Sequence, residues 1–599
     1  MSALHLSRRD LDFLLNEWLQ VNDLLERPRF ADHSAETFAA VLDLSEDIAV
    51  NEFAPHNKAS DSCEPVMSAD GSVQLIPQIK QALDRYNESG LQASSFPVEL
   101  GGMQLPETIR TACAAWLAAG NAATTSYPFL ASAAANLLVA HASPEMIDTY
   151  ARPIIEGRFY GTMCLSEPDA GSSLADTRTT AEGQADGTWR IRGSKMWISG
   201  GDHELGDNIV HLVLAKTPGA PAGVKGLSLF VVPKFLVADD GAVGVRNDVT
   251  LVGLNHKMGY RGTTNTLLSF GDGTHAVDEV RGAVGYLVGE EHAGLAYMFH
   301  MMNEARIGVG TTAVALGYAG YLHALDYART RLQGRPVSQR DPSSAPVPII
   351  NHPDVRRMLL AQKAYVEGGL ALVLYCARLV DEAGTAPEAS TRDSAESLLG
   401  ILTPIAKSFP SQWCVAANDL AIQVHGGYGY TRDYDVEQYY RDNRLNSIHE
   451  GTHGIQGLDL LGRKVRSRGG LDFKFLVDRM SATVEVASSA GGVLSQRADQ
   501  LRPRIEALVE TTDTLWRGGD PEVALAHSSV YLEAMGHIVV AWLWLEQCLA
   551  ADGRTGSFYD GKRAAAGYFY LFELPKVDAQ LALLATLDRS TLDLDEAWF

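Results

Sequence analysis

The pattern H-E-x-x-H, formed by His449, Glu450 and His453, is the first candidate for chemistry in this sequence. On a helix this spacing places two histidines on one face, where they can bind zinc while the glutamate acts as a general base. Gly451 and two glycines that follow it would each weaken such a helix by about 1 kcal/mol. Where the metzincin class of zinc proteases supplies a third ligand, this chain has Asp459. We therefore expect no metal site here, and two histidines at a helix end or on the surface.

Other general motifs give little support for catalysis. The sequence contains no G-x-x-x-x-G-K-[ST] loop and no G-x-G-x-x-G after a predicted strand, so a Rossmann dinucleotide site is not predicted. Gly426, Gly427 and Gly429 are compatible with a plain helix-ending loop. The six cysteines are sparse and none is in C-x-x-C spacing, which favours reduced thiols over a disulfide scaffold or a zinc ribbon.

The net charge argues against one class of partner. Asp plus Glu total 73 against 50 Lys plus Arg, which gives a formal charge of −23 over 599 residues. Such a surface repels polyanions, so we expect no nucleic-acid binding. A few well-placed arginines could still bind an anionic substrate. With 46% hydrophobic and 21% charged residues, the composition is that of a folded globular protein.

Targeting and membrane segments are not predicted. The N-terminal stretch is amphipathic and lacks the apolar core and cleavage site of a signal peptide, so a cytoplasmic location is expected. Residues 111–144 carry no charged side chain, but Asn121, Thr124, Thr125, Ser126 and Pro128 interrupt them. No clean apolar span of about 20 residues remains, and we predict two buried helices there instead of a membrane segment.

Periodicity of the apolar residues divides the chain into four segments and predicts an α+β, multidomain fold. Short β-type runs, WRIRG, IVHLVLAK, LSLFVVP and TLLSF, are confined to the second segment. Long runs with helical spacing occupy the others. The predicted segments are an N-terminal helical domain (1–160), a small middle β-domain (161–280), a C-terminal helical bundle (281–465) and a further helical extension (466–599).

Six short strings in order carry a resemblance to a known family. They are MCLSEPDAGS (163–172), KMWISGG (195–201), MGYRGT (258–263), NEAR (303–306), QVHGGYGY (423–430), and RDNR (441–444) leading to IHEGT (448–452). Together they resemble the acyl-CoA dehydrogenase family over roughly residues 40–465. The added C-terminal region resembles the long bacterial branch, which includes fatty acyl-CoA and 3-methylmercaptopropionyl-CoA dehydrogenases.

The resemblance implies FAD as the cofactor, and it implies the residues that hold it. Those on the flavin of the same subunit are Met163, Leu165, Ser166, Gly171, Ser172, Trp197, Ile198, Ser199, Thr452, His453 and Gly454. Those on the FAD of a neighbouring subunit are Arg331, Gln423, Val424, His425, Gly426 and Gly427. A homodimer or tetramer is therefore expected. Many relatives carry Gln where this chain has Pro353, which puts one FAD contact in doubt.

The resemblance also assigns the catalytic base to Glu450 and substrate contacts to Ser172, Asn303, Arg306 and Gly451. In some relatives the base instead precedes the arginine of the NEAR string. Here that position is an alanine, which cannot accept a proton, and the neighbouring glutamate lies about 100° around the helix. The residues themselves predict one local feature, a helix N-cap at the threonine of the EGT string.

The implied function is α,β-dehydrogenation of an acyl-CoA in fatty acid β-oxidation, an oxidoreductase reaction on a CH–CH bond. Electron-transferring flavoprotein is the implied acceptor. For the substrate, a medium- to long-chain fatty acyl-CoA is the favoured interpretation, and a 3-methylmercaptopropionyl or other short-chain acyl-CoA is an alternative. An acyl-CoA oxidase and a DNA-associated flavoprotein of the same fold stay open. Gly308, Gly310, Gly317 and Gly320 lie along one predicted helix and could open a deep pocket, but a packing seam is the preferred interpretation.

Overall fold

The computed structural model describes residues 4–339 and 341–599, with the side chains of all of these except 300–303. The described chain forms two compact units that each draw on separated parts of the sequence. The helical unit contains the residues up to Phe38, Pro106–Ala115 and Arg306–Phe599. The mixed unit contains Ala39–Leu105 and Trp116–Ala305. The division into four consecutive segments stays a prediction from the sequence.

Helices account for most of the described chain, as the apolar periodicity predicts. In chain order they are α1 Arg8–Asp12, α2 Ala35–Ile48, α3 Asn57–Ser62, α4 Pro77–Glu88, α5 Glu107–His141, α6 Pro144–Met146, α7 Arg152–Ile155, α8 Gly294–Thr330, α9 Pro353–Thr385, α10 Ala389–His425, α11 Val436–Arg444, α12 His453–Gly462, α13 Leu471–Ala490, α14 Gly492–Arg517, α15 Pro521–Leu525, α16 Ser528–Ala550, α17 Ser557–Tyr568 and α18 Lys576–Ala585.

The mixed unit holds the β-structure of the described residues. Its strands are β1 Val66–Met67, β2 Val73–Gln74, β3 Phe159–Cys164, β4 Thr180–Gly183, β5 Trp189–Ser199, β6 Asn208–Lys216, β7 Leu227–Pro233, β8 Phe235–Val237, β9 Val243–Arg246, β10 Val249–Leu254, β11 Asn265–Phe270 and β12 Ala283–Leu287. All four runs predicted as strands are confirmed, as β5, β6, β7 and β11.

The main sheet is mixed, with the strand order β10-β11-β5-β12-β7-β6-β3, and β4 pairs with β5 and β6. Neighbours are antiparallel except that β6 runs parallel to β3 and β4. Its core contains Ile191, Val213, Phe230 and Leu268. The sheet begins at Phe159 and ends at Leu287, so it extends past both ends of the 161–280 segment.

The uncharged segment near residue 120 forms two helical stretches, as predicted. Within α5, Asn121 has non-helical dihedral angles (φ −161°, ψ 96°) that break the helix. Its side-chain oxygen accepts a hydrogen bond from the Thr124 N–H at 3.0 Å, which is the geometry of an N-cap. Among the described residues one helix, α16, is long and apolar enough to cross a membrane, and 83% of its most apolar window is buried inside the protein.

The small residues of α8 are packing contacts. A Cβ atom added at Gly310 would lie 2.1 Å from the Ala406 carbonyl oxygen on α10. One added at Gly317 would lie 2.7 Å from Cβ of Cys414. Because α8 and α10 approach too closely for larger side chains, these glycines do not open a pocket. The packing-seam interpretation is confirmed at Gly310 and Gly317.

The C-terminal extension is joined to the rest of the helical unit through buried charges. Lys562 on α17 has no exposed surface and forms ion pairs with Asp10 and with Glu367, the latter at 3.0 Å. Glu367 is also paired with Lys363 of its own helix α9. Removing one member would leave a buried charge uncompensated, so the cluster fixes α17 on α9.

Candidate active site

Glu450 lies in a turn that leads directly into α12. The helix begins at His453, and its N-cap is Thr452, whose hydroxyl accepts a hydrogen bond from the Ile455 N–H at 3.4 Å. The predicted N-cap is thus confirmed. His449 precedes the helix and His453 is its first residue. The two histidines therefore do not share a helical face, which is the geometry that the zinc-protease pattern needs.

Both histidines are neutral at physiological pH. Burial lowers the pKa of His449 to about 3 and that of His453 to about 4, and the nearby Lys407 charge acts in the same direction. His449 is oriented by a 3.0 Å contact between its Nε2 atom and the Asn446 side-chain oxygen. These imidazoles add no positive charge beside Glu450.

The backbone of Glu450 is held in a left-handed conformation, with φ 53°. For a residue with a side chain this conformation is strained, and surrounding contacts must hold it. Two are present. The Gln456 side-chain amide donates to the Glu450 carbonyl oxygen at 2.9 Å, and the Lys407 ammonium donates to the Gly451 carbonyl oxygen at 2.6 Å. Successive carbonyl groups are thus fixed by different helices.

The environment of Glu450 favours a role as proton acceptor. Its side chain is half-buried. Burial raises the pKa of Glu450 above the ordinary value of 4.5, while the charges of Arg306 and Lys407 oppose that rise. In the described part of the chain neither its carboxylate nor its N–H makes a hydrogen bond. A carboxylate with these properties can remove a proton from a bound molecule.

Arg306 is fixed within the protein. Its side chain is 3% exposed, and it donates to Asp459 at 2.7 Å. Asp459 also accepts from Arg463 at 2.6 Å. The substrate contact predicted for Arg306 stays a prediction. The positive charge of Arg306 acts on Glu450 and favours its ionised form. The other predicted contact on this helix, Asn303, lies outside the described side chains.

The preceding residues of α8 are not alternative bases. Ala305 is fully buried and has no ionisable group. Glu304 accepts a hydrogen bond from the Asn136 side-chain amide at 2.9 Å. That bond ties its carboxylate to α5 within the mixed unit.

In the mixed unit, a buried ion pair ties together two of the predicted flavin-contacting strings. Lys195 has no exposed surface and donates to Glu167 and to the Leu165 carbonyl oxygen, both at 3.0 Å. Glu167 also accepts from the N–H groups of Arg178 and Thr179 and from the Thr179 hydroxyl. Residues 163–172 and 195–201 are therefore held at a fixed separation. Sequence analysis did not single out the pairing of Lys195 with Glu167, because only the folded structure brings the two side chains into contact.

Trp197 is the exposed member of the second string. It is 60% exposed, with a left-handed backbone (φ 65°) near the end of β5. Ile198 is 2% exposed and belongs to the sheet core, so only its backbone is open to a ligand. Ser199 accepts from Asn265 at 3.1 Å. An exposed indole held in a strained conformation fits a planar ring such as flavin.

The first string follows the predicted strand-and-turn course. Met163 lies in β3, and the chain then turns through the backbone pair Glu167 and Ala170. The Met196 N–H donates to the Ser166 carbonyl oxygen at 3.0 Å, next to the Lys195 contact. Gly171 and Ser172 are exposed beyond the turn.

A groove of about 540 Å³ in the helical unit brings together most of the residues predicted to hold a neighbouring subunit's FAD. Its lining includes Arg331, Val424, His425, Gly426 and Gly427. The predicted Gln423 does not line it and is exposed on the last turn of α10.

The chemistry of this groove fits a dinucleotide. Its walls include the rings of Tyr327 and Tyr428, with the Arg331 guanidinium 5.4 Å from the Tyr428 ring. Gly426 has φ 62° and ψ −140°, a conformation that glycine adopts far more readily than other residues. Aromatic faces suit a planar base, and an arginine suits a pyrophosphate.

Pro353 and His425 have structural explanations. Pro353 is the first residue of α9, where a proline is favoured because its missing N–H would have no helical partner. His425 is buried, and its ring stacks on Tyr327 with centroids 4.3 Å apart. His425 therefore shapes the groove through its ring packing.

Comparison with known families gives consistent matches along the chain. The family model described as acyl-CoA dehydrogenase, middle domain, matches residues 162–272. The model described as acyl-CoA dehydrogenase, C-terminal domain, matches residues 292–465. A third, described as acetyl-CoA dehydrogenase C-terminal like, matches residues 476–595.

Individual relatives match over nearly the whole chain. The 3-methylmercaptopropionyl-CoA dehydrogenase of Ruegeria pomeroyi is 39% identical over 572 residues, 94% of each chain. The broad-specificity linear acyl-CoA dehydrogenase FadE5 of Mycobacterium tuberculosis is 34% identical over 100% of both chains. The solved structure of an acyl-CoA dehydrogenase complexed with FAD from Bacillus anthracis has the same fold, with a TM-score of 0.70 at 20% identity, covering 96% of this chain and 95% of that one.

The ion pair between Lys195 and Glu167 gives a stability prediction. Lys195→Met should destabilise the protein by roughly 3 kcal/mol, because Glu167 then stays buried without its ammonium partner. The measurement is urea unfolding followed by tryptophan fluorescence. The exposed lysine Lys225 serves as a control, and Lys225→Met should change stability by less than about 0.5 kcal/mol. Equal unfolding midpoints for Lys195→Met and wild type would show that the pair does not fix this part of the sheet.

Proposed function

Since this chain belongs to the acyl-CoA dehydrogenase family, an FAD-dependent group of oxidoreductases that act on the CH–CH bond of acyl-CoA thioesters, we propose that Glu450 is its catalytic base. The observation that carries this proposal is the turn before α12. A half-buried carboxylate with a raised pKa sits there in a strained backbone that two helices hold. Its carboxylate makes no hydrogen bond in the described residues, and the α8 side chains beside Arg306 provide no competing base.

In the proposed reaction the carboxylate of Glu450 takes the α-proton of the thioester, and a double bond forms between Cα and Cβ. Bound FAD would supply the acceptor to which the β-hydrogen leaves as hydride. The α-proton is a very weak acid, so the developing negative charge on the thioester oxygen must be stabilised. The N–H of Glu450 has no partner in the described part of the chain and can serve as one donor. Exclusion of water by the substrate would raise the basicity of the carboxylate further.

For the substrate we propose linear, saturated acyl chains of medium to long length in fatty acid β-oxidation. The full-length match to a broad-specificity linear enzyme supports the linear chain. A second candidate is 3-methylmercaptopropionyl-CoA, since the relative of that name is 39% identical. The two candidate substrates are chemically similar, because a thioether sulfur is close in size to a methylene group. A pocket for a five-atom linear chain would accept either.

For the electron acceptor we propose electron-transferring flavoprotein, as the family resemblance implies. An oxidase that uses oxygen is the competing enzyme. A DNA-associated relative would need a basic surface, whereas this chain carries a formal charge of −23.

The Arg331 groove further supports a homodimer in which each subunit contributes to its neighbour's FAD site.

Replacing Glu450 by Gln tests the base directly. The variant should still bind FAD, because only the ionisable oxygen is changed, but its flavin should no longer bleach when an acyl-CoA is added without oxygen. We expect at least a thousand-fold slower reduction, in line with losing a general base and its positioning. In the wild type the rate of flavin reduction should rise with pH, because the proton acceptor is the ionised carboxylate of Glu450. The apparent pKa of this rise should lie above the ordinary value of 4.5. Normal bleaching by Glu450→Gln would exclude it as the base.

A panel of acyl-CoA thioesters tests the substrate and the acceptor. Butyryl-, pentanoyl-, octanoyl-, palmitoyl- and 3-methylmercaptopropionyl-CoA are each mixed anaerobically with the enzyme, and the rate of flavin bleaching is recorded. We expect the fastest flavin bleaching with octanoyl- or palmitoyl-CoA. A preference for the sulfur compound over pentanoyl-CoA would establish the second candidate instead. When air is readmitted, a dehydrogenase should recolour slowly, whereas an oxidase would recolour at once.

Arg331→Ala tests the groove. Loss of a guanidinium that binds a pyrophosphate should weaken FAD binding by about ten-fold, the value of one charge-assisted hydrogen bond. FAD per chain after dialysis is the measurement, with the subunit number determined by light scattering. Arg329 is exposed in the last turn of α8, two residues before Arg331, and does not line the groove, so Arg329→Ala should retain FAD. Equal FAD content in both variants would contradict the assignment.

A further inference from the structure

Lys407 is a buried lysine that neither the motifs nor the family resemblance singles out. It lies inside α10, between Ala406 and Ser408, with no exposed surface. Its ammonium donates one hydrogen bond in the described part of the chain, to the Gly451 carbonyl oxygen at 2.6 Å. No carboxylate oxygen of the described residues lies within 4.0 Å of it.

A lysine in this position is costly. The effective penalty for burying an ammonium is several kcal/mol, and a single carbonyl contact offsets only part of it. Buried apolar side chains lie two positions away on either side, at Ile405 and Phe409, so a methionine would fill the same space without that penalty. The charge or the hydrogen bond of Lys407 must therefore contribute to something other than packing.

The charged groups around Lys407 indicate that its contribution is to the environment of Glu450. Glu450 is the acid whose charge acts on it, and Arg306 on α8 is the other cation. Arg306 is already paired with Asp459, and the two neighbouring histidines are neutral. Of the two cations whose charge acts on Glu450, Lys407 is therefore the one without a carboxylate partner among the described residues. Burial lowers the pKa of Lys407 to about 7, and the Glu450 charge opposes that shift.

We propose that Lys407 is a positioning residue for the catalytic base: it holds the Gly451 carbonyl so that the Glu450 turn keeps its strained conformation, and its charge favours the ionised form of Glu450. This proposal rests on the assignment of Glu450 as the base. The hydrogen bond and the charge are separable effects. The first fixes where the carboxylate and the Glu450 N–H point, and the second sets the pH range in which the base works.

The positive charge of Lys407 determines the direction in which it shifts the pKa of Glu450. A positive charge near a carboxylate favours ionisation and lowers its pKa. Without the ammonium, the pKa of Glu450 would rise, because burial would be opposed by Arg306 alone. The acid limb of the pH–rate profile would then move to higher pH. A residue that only supports the fold would lower the rate at every pH without moving this limb.

Three variants of Lys407 separate the two effects. Lys407→Gln removes the charge but can still donate to the Gly451 carbonyl. Lys407→Met removes both, and Lys407→Arg retains the charge. The exposed Lys474, which is 66% exposed and pairs only with a neighbouring acid on its own helix, provides the control Lys474→Met. Thermal unfolding of each purified holoenzyme identifies any variant that fails to fold.

Proton removal is best measured separately from flavin reduction. An acyl-CoA with sulfur in place of the β-carbon has no β-hydrogen to transfer, but its α-protons can still be removed. Exchange of these α-protons for deuterium in D2O, followed by NMR from pD 5 to 9, reports Glu450 alone. Anaerobic flavin reduction by octanoyl-CoA over the same range is the second readout.

We expect Lys407→Gln to move the acid limb of both profiles up by roughly one pH unit, a ten-fold loss of rate on that limb, with little change at high pH. Lys407→Met should show the same shift and a further rate loss at high pH, while Lys407→Arg and Lys474→Met keep the wild-type limb. An unmoved limb in Lys407→Gln would overturn the proposal. Normal exchange in Glu450→Gln would instead overturn the base assignment, and this proposal with it.

Discussion

The partial burial of the Glu450 carboxylate is the constraint on which the rest of this site depends. Removing a carboxylate from water disfavours its charge and makes it a stronger base once it is ionised. The same burial favours the protonated form of the carboxyl group, and nearby positive charge opposes that effect. Arg306 and Lys407 provide that charge from two different helices, α8 and α10. The helical unit thus combines a basic carboxylate with the charges that let it ionise.

The strained turn adds a second requirement. A left-handed glutamate persists only where its neighbours fix the backbone, and here two side chains hold consecutive carbonyl groups. Both donors come from regular helices. Thr452 then starts α12 by capping it, which makes the change from turn to helix abrupt. The rigid helices therefore position a residue that no regular element could hold.

Buried lysines recur where separate parts of the chain must be held together. Lys195 joins two strings of the mixed unit through Glu167, and Lys562 joins the C-terminal extension to α9 through Glu367. Lys407 differs from both because it bonds a carbonyl oxygen and not a carboxylate. The first two have compensated charges and stabilise structure. The third, when protonated, carries a charge that no carboxylate partner compensates and that acts on Glu450.

Features that depend on residues close together in the chain could be predicted from the amino-acid sequence. The strands, the long helices and the Thr452 cap follow from apolar periodicity and side-chain chemistry within a few positions. The order of short strings also indicated the family. The contact from Lys407 spans 44 residues and that from Arg306 to Asp459 spans 153. These contacts could not be predicted from the sequence, because the packing of helices that are distant in the chain sets which charges are buried together.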